Sequence, residues 1–396
     1  MANVPIVSIM DPQTLPDTMA AEPGGKIRVA ELFAGVGGFR LGLEGDDYKF
    51  VFSNQWEPGE TKQWASKIYE ERFGSEGHTG NSIHDFTHPK DGVAEIPNHD
   101  LLVGGFPCQD YSVARTISGE LGIKGEKGKL WVDIARIIRH KRPRPKTVLL
   151  ENVPRLLNSP ANARGLNFAI ILNDLIRMGY NVEWRVINAA DYGMPQQRSR
   201  VFILAYRGSW CGQNFGVNGP ERYGALKRSK GPMSKWMFGK SSGKTSSEWE
   251  IGPFAQAFPA TGELRKPELV PEDLDSFSSK SSPFGNTGYA YLIGNGSEKG
   301  PYQKMFWTTK VKADYDGERQ TLGDVLVDEH DPDYEITDED KLRMYAYIKG
   351  EQKEWRIRKA DRKVAEGVPS GDGNLWDLYQ RCTKGYDTQL WADSRE

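Results

Sequence analysis

The sequence predicts an α/β fold with a doubly wound sheet, followed by a second, smaller domain. From Ile27 to about Arg207, short apolar runs alternate with longer stretches of helical periodicity. Strand–helix alternation of this kind favours a mostly parallel sheet with helices on its faces. After Gly208 the composition changes: Gly, Ser, Lys, Trp and Pro are frequent in residues 209–300, and the apolar residues show little periodicity. We therefore place a domain boundary near Gly208.

Six apolar runs are predicted as strands and three periodic stretches as helices. The strands are residues 27–33, 49–54, 100–104, 147–151, 181–188 and 200–205, and the helices are residues 59–73, 130–141 and 163–178. Residues 1–26 are rich in Pro, Ala and Gly and are expected to form a flexible lead-in.

Composition excludes several classes of protein. The 52 basic and 54 acidic residues give a net charge of -2, so a DNA-binding surface would have to be a local patch. The three cysteines, Cys108, Cys211 and Cys382, are too far apart to suggest a disulfide framework or a zinc site, and no metal is expected. No apolar run is long enough to span a bilayer, and a signal pattern is missing from the N-terminus. These features favour a cytoplasmic protein.

Cys108 follows an apolar strand that Gly104 and Gly105 interrupt. Pro107 then stiffens the loop just before the cysteine. The thiol is therefore expected at the carboxyl edge of the sheet, where ligand crevices open in α/β folds. A cysteine there could act as a nucleophile if a neighbour lowers its pKa. The alternative is a small, inert core residue, which is the usual fate of a free cysteine.

A glycine-rich turn follows the first strand. It contains Phe33, Ala34, Gly35, Gly37 and Gly38, and it departs from the G-x-G-x-x-G pattern of NAD sites. Glycines at a strand-to-helix turn allow a ligand to approach the backbone closely. The alternative is plain turn geometry.

Three further strand ends carry polar or aromatic side chains. The second strand ends near Trp56 and Glu57, which could cover an adenine face and bind ribose hydroxyls, although a solvated charge is the alternative for Glu57. Glu151 ends another strand and is expected at the same sheet edge as Cys108. Arg198 and Arg200 begin the last strand and could bind a carbonyl or phosphate, or stay as exposed edge charges.

Taken in order, these motifs resemble the cytosine-5 DNA methyltransferase family of bacterial restriction–modification systems. The resemblance covers about residues 27–207. Its motifs are F-x-G-x-G-G at residues 33–38, the acidic strand end at Glu57, P-C-Q at 107–109, E-N-V at 151–153 and Q-x-R-x-R at 196–200. It implies a Rossmann-like S-adenosylmethionine-dependent methyltransferase sheet in a catalytic domain of residues 27–208. Residues 209–396 would form the target-recognition region.

The family resemblance implies methyl transfer from S-adenosylmethionine to C5 of cytosine in double-stranded DNA at a specific sequence. Cys108 would attack C6 of a base flipped out of the duplex, and S-adenosylhomocysteine would be the product. Glu151 would bind the N3/N4 edge and Arg200 the O2 carbonyl, with Arg198 as a further catalytic candidate.

The resemblance also assigns cofactor contacts. Trp56 would pack on adenine, Glu57 would hold the ribose, and Ser82 stands where the family usually has an aspartate. The full expected set is Phe33, Ala34, Gly35, Gly37, Gly38, Trp56, Glu57, Ser82, Ile83, Phe106 and Pro107.

The family's usual closing motifs are not found after residue 209. We therefore expect a truncated chain or a second subunit that supplies them, beside DNA and a cognate restriction enzyme as partners. Membrane attachment is not expected. Two other functions stay open: a tRNA cytosine-5 methyltransferase, and a catalytically impaired DNA-binding relative.

Overall fold

The computed structural model describes residues 25–88, 92–107, 129–207, 252–263, 267–293, 303–321 and 324–325. These residues fall into two compact units. One comprises Met1–Val186 and Arg200–Asp314, and the other Ile187–Ser199 and Tyr315–Glu396, in each case over the described ranges.

A ten-stranded sheet is the framework of the fold. In chain order the strands are β1 (Ile27–Leu32), β2 (Tyr48–Asn54), β3 (His78–Thr79), β4 (Leu101–Gly105), β5 (Thr147–Asn152), β6 (Asn181–Asn188), β7 (Ser199–Tyr206), β8 (Ala260–Gly262), β9 (Glu268–Leu269), β10 (Thr287–Ile293), β11 (Gln303–Thr309) and β12 (Val311–Ala313). Their order in the sheet is β3-β2-β1-β4-β5-β7-β6-β10-β11-β9, while β8 and β12 form a separate pair. Strands β1 to β5 run parallel, and β7 is antiparallel to β5.

Six helices accompany the strands in the described residues. They are α1 (Gly38–Gly42), α2 (Trp64–Phe73), α3 (His84–Thr87), α4 (Lys129–His140), α5 (Leu166–Arg177) and α6 (Pro253–Ala257). The two longest, α4 and α5, bury apolar faces that include Ile134, Ile137, Ile171 and Leu175. None of the helices described has both the length and the apolar character that a membrane crossing requires.

The predicted α/β fold is confirmed. Each of the six predicted strands and three predicted helices is present, with ends within a few residues of the expected positions except at α2, which begins at Trp64 rather than at residue 59. Leu101–Val103 of β4 and Val148–Leu150 of β5 are continuously apolar and buried, because both faces of the sheet are covered there.

The order in which the chain adds strands to the sheet reverses beside β1. Strand β2 pairs on one side of β1 and β4 pairs on the other. Such a reversal opens a crevice outside the carboxyl ends of the strands, where α/β proteins bind their ligands. The ends of β1, β2, β4 and β5 therefore define the region where a site is expected.

Three strands that follow Gly208 in the chain join this same sheet. Strand β10 pairs with β6, β11 pairs with β10, and β9 pairs with β11. An aromatic cluster of Phe168, Trp184, Phe284 and Phe306 packs beside them, with ring centroids 4.9 Å apart for Phe168 and Phe284. The assignment of residues 209–396 to target recognition stays a prediction.

Both edges of the sheet are short. Strands β3 and β9 have two residues each, and each pairs with a single longer neighbour. Among the described residues, each edge strand therefore pairs with two residues of its neighbour.

Candidate active site

The glycine-rich turn joins β1 to α1 and is bonded to the end of β2. Phe33, Gly35 and Gly37 have positive φ angles of 54°, 55° and 90°. The N–H of Ala34 donates to the Asn54 carbonyl at 2.9 Å, and the N–H of Gly35 donates to Gln55 Oε1 at 2.8 Å. Gln55 was not predicted as a site residue, although it directly precedes Trp56.

The glycines of this turn have different surroundings. A Cβ on Gly37 would lie 2.2 Å from the Phe73 ring, so this glycine is required for packing. A Cβ on Gly35 or Gly38 would meet no described atom within 4 Å. The backbone at these two positions is thus open to close approach by a ligand.

A buried carboxylate lies beneath the turn. Glu31 in β1 has no solvent exposure, and its Oε2 accepts the hydroxyl of Tyr69 at 3.0 Å. Burial raises the pKa of the Glu31 carboxyl to about 7, and the hydrogen bond from the Tyr69 hydroxyl opposes that rise. Glu31 therefore links β1 to α2.

Trp56 and Glu57 follow β2 at the same edge. The Trp56 side chain is 42% exposed, so its indole is available for stacking. Glu57 Oε2 accepts the N–H of Ala65 at 2.9 Å at the start of α2, and the Glu57 backbone pairs with the Gln63 amide. These bonds fix the half-buried carboxylate beside the turn.

Ser82 and Ile83 differ in exposure. Ser82 Oγ accepts the N–H of His84 at 3.3 Å and so caps α3, and its side chain is half-buried. Ile83 is buried in the main core, together with Leu32 and Phe106. Their assignment to the cofactor stays a prediction.

The end of β4 lies beside the end of β5. Gly105 pairs with Glu151, and a Cβ on Gly105 would lie 3.1 Å from Glu151 Oε2. Phe106 is buried, and its carbonyl accepts the Asn152 side-chain amide at 2.8 Å. Asn152, another residue that sequence reasoning did not select, thereby holds the chain just before Pro107. Pro107 is exposed, and Cys108, which follows it, lies outside the described residues.

Glu151 and Arg200 form an ion pair across β5 and β7. Arg200 Nε lies 2.7 Å from Glu151 Oε1, and the side chains are 14% and 24% exposed, respectively. The two predicted catalytic side chains thus meet at the sheet edge. The pair places a carboxylate and a guanidinium, groups that bind complementary polar edges, next to the strand that leads to Cys108.

Arg198 belongs to the second compact unit and precedes β7. Its carbonyl accepts the N–H of Ala189 at 3.1 Å. In the same unit, the N–H of Gln320 donates to the Gly193 carbonyl at 2.7 Å, and Arg319 Nη1 donates to the Ala190 carbonyl at 3.1 Å. Residues after Tyr315 therefore pack on the segment that precedes Arg198.

Comparisons with known proteins agree with this arrangement. The model of the C-5 cytosine-specific DNA methylase family matches residues 27–227. The chain is 37% identical over 342 residues to the Type II methyltransferase M.Sau3AI of Staphylococcus aureus, which covers 84% of this chain and 73% of that protein. It is 36% identical over 189 residues to the Type II methyltransferase M.HhaI of Haemophilus parahaemolyticus, which covers 48% of this chain and 52% of the relative.

Other similarities extend over about half of the chain. The Type II methyltransferase M1.ScrFI of Lactococcus lactis subsp. cremoris is 41% identical over 182 residues, which is 46% of this chain and 42% of that protein. The crystal structure of S. pombe Dnmt2 methyltransferase aligns with a TM-score of 0.35 and 22% identity, over 47% of this chain and 52% of that one. From the family match and the M.Sau3AI alignment, the chain belongs to the C-5 cytosine-specific DNA methylase family.

Proposed function

We propose that this protein transfers a methyl group from S-adenosylmethionine to C5 of cytosine in double-stranded DNA, at a specific sequence. The observation that carries the proposal is the Glu151–Arg200 pair, which lies beside the strand that leads to Cys108 in a chain of the C-5 methylase family. The Type II methyltransferase names of the relatives support a DNA substrate. A cognate restriction enzyme is the proposed partner.

The residues at the ends of β1 and β2 fit the proposed cofactor. When bound, S-adenosylmethionine supplies an electrophilic methyl group. The open backbone at Gly35 and Gly38 would accommodate the methionine part, with Phe33 and Ala34 beside it. The exposed indole of Trp56 would cover the adenine, and the fixed carboxylate of Glu57 would accept bonds from ribose hydroxyls.

The catalytic side chains would make C5 of cytosine nucleophilic. Cys108 as a thiolate would add to C6, and the electron pair of the C5–C6 double bond would shift towards C5 and the ring. Glu151 would bind the N3/N4 edge and favour protonation at N3, while Arg200 would hold the O2 carbonyl. After methyl transfer, loss of the C5 proton to a base would return its electron pair to the ring and expel the thiolate.

The reaction requires the cytosine to leave the duplex, because C6 cannot be reached inside a base stack. Unstacking costs a few kcal/mol, which contacts from Glu151 and Arg200 to the flipped base would offset. A chromosomal DNA substrate places the expected site of action in the cytoplasm, at the nucleoid.

A covalent trap tests the mechanism. DNA in which 5-fluorocytosine replaces every cytosine contains the target site whatever its sequence. Fluorine at C5 cannot leave as a proton, so the thiol stays attached after methyl transfer. We expect a denaturation-resistant adduct of the full chain with this DNA when S-adenosylmethionine is present, and no adduct for Cys108→Ala.

Glu151→Gln is the second arm of this experiment. The amide keeps the size of the side chain but cannot exchange a proton with N3, so adduct formation should slow by about 100-fold or more. DNA affinity, measured by gel shift, should change far less. A normal rate for this variant would remove Glu151 from the reaction. Methylation of tRNA in place of DNA, or no adduct with the wild-type chain, would overturn the proposed function.

A further inference from the structure

A histidine–aspartate cluster lies between α3 and α4. His84 begins α3 and His88 follows its last residue, so the two are four positions apart and share one side of that turn. Asp133 comes from the neighbouring helix α4. A ligand atom from each of the three residues lies within 4.8 Å of the other two.

The buried member of the cluster is incompletely satisfied. Asp133 is 1% exposed, and the Thr87 hydroxyl donates to its Oδ1. Asp133 Oδ2 and His84 Nδ1 lie 2.8 Å apart, yet neither atom makes a hydrogen bond of acceptable geometry with the described residues. A proton on His84 Nδ1 or a bound cation would supply the positive charge that these two atoms can share.

We propose that His84, His88 and Asp133 bind a single Zn²⁺ ion. Two imidazole nitrogens and one carboxylate oxygen are a donor set that zinc accepts, with a fourth position left for water. His84 Nδ1 lies 2.8 Å from Asp133 Oδ2, and His88 Nδ1 lies 3.9 Å from Asp133 Oδ1. The edge of a tetrahedral site is about 3.3 Å for bonds of zinc length, so small side-chain rotations would bring one atom of each residue to that spacing.

The surroundings match the requirements of a metal site. The side chains of His84 and His88 are 28% and 52% exposed, so an ion could enter from solvent. The hydroxyl of Thr87 bonds to Asp133 and orients the carboxylate, as outer partners of metal ligands commonly do. A bound ion would neutralise a carboxylate that is otherwise costly to bury.

The site would serve as a clamp between two elements. It joins α3 to α4, which contact each other only through a short interface around Thr87 and Asp133. Because the ligands come from residues distant in sequence, the ion would bind the folded chain and not the unfolded one, and would stabilise it. The proposal does not depend on the methyltransferase function.

Titration of the full chain with zinc chloride tests the site. The protein is stripped with a chelator and must carry no histidine tag. Calorimetry should show one Zn²⁺ per chain, and the Tm should rise when zinc is added. His88→Ala and Asp133→Asn should each weaken binding by about 100-fold or more and abolish the rise in Tm.

Matched controls separate this cluster from other zinc ligands. His140→Ala removes an exposed histidine of α4 whose Nδ1 contacts the Arg136 carbonyl, and it should bind zinc like the wild type. Co²⁺ in place of Zn²⁺ should give tetrahedral absorption without the charge-transfer bands of cysteine ligation. Because His88 is half exposed, His88→Ala should melt like the metal-free wild type. Absence of binding by the wild type, cysteine ligation of Co²⁺, or unchanged binding in His88→Ala would overturn the proposal.

Discussion

Glu31 illustrates how one residue can make the stability of the protein depend on pH. Its carboxyl is buried, which raises its pKa from an ordinary value of 4.5 to about 7. Between these two values the unfolded chain loses the proton while the folded chain keeps it. Raising the pH through this window therefore favours unfolding. The stabilisation that the protonated Glu31 carboxyl gives the folded state is complete below pH 4.5 and lost above pH 7.

Comparison with Glu31→Gln isolates this effect. Glutamine does not titrate. Between pH 4.5 and 8, the unfolding free energy of the wild type should therefore fall by about 3 kcal/mol relative to that of the variant. Urea denaturation at a series of pH values measures it. A difference that is the same at all pH values would contradict the raised pKa.

At the same scale, the sequence pointed to the two side chains of the ion pair more readily than to the residues around them. Glu151 and Arg200 were predicted because each carries a charge at the end of an apolar strand, and the structure brings them together. Asn152 and Gln55 were missed because their importance depends on where the Phe106 carbonyl and the Gly35 N–H lie, which is a property of the folded chain. The cluster around Asp133 was missed for the same reason.

Among the elements, the turn between β1 and α1 offers a paired test of packing and ligand binding. Gly37→Ala places a methyl group against the Phe73 ring at a φ of 90°. Strain and crowding together should destabilise the protein by about 2–4 kcal/mol. Urea denaturation measures this loss.

Gly38→Ala is the matched control because its Cβ would meet no described atom and its φ is not positive. Its unfolding free energy should change by less than about 1 kcal/mol. If the cofactor assignment holds, the added methyl should weaken S-adenosylmethionine binding, as calorimetry would show. A stable Gly37→Ala variant would refute the packing role of that glycine.

Elements were predicted well where the chain alternates strand and helix and poorly elsewhere. The parallel strands are recognisable because burial on both faces demands continuous apolar runs. Strands β10 and β11 were not assigned, although Tyr289, Tyr291 and Phe306 are typical strand residues. The pairing of β10 with β6 joins segments that are about 100 residues apart, so it leaves no local signal in the sequence. The antiparallel direction of β7 was likewise invisible in the sequence.

For the whole molecule, the aromatic cluster predicts that residues after Gly208 unfold together with the catalytic sheet. Phe284 contacts Phe168, Trp184 and Phe306, and Trp184 Nε1 donates to the Gly285 carbonyl at 3.2 Å. Phe284→Ala should cost about 3–5 kcal/mol. Hydrogen exchange should show the same loss of protection in β10 and in β6.

Leu292→Ala is the control for this prediction, because Leu292 lies in β10 but is 43% exposed. It should change stability by no more than about 0.5 kcal/mol. Loss of protection in β10 while β6 stays protected would mean that the two strands belong to independent folding units.

The two-residue strands β3 and β9 at the edges of the sheet have a consequence for behaviour in concentrated solution. A long exposed edge presents a row of unpaired backbone groups that another chain can extend into an aggregate. Among the described residues each of these edge strands has only two residues, so docking of another chain onto β3 or β9 would gain few hydrogen bonds. Aggregation through these two strands should therefore begin with unfolding and not with docking of intact molecules.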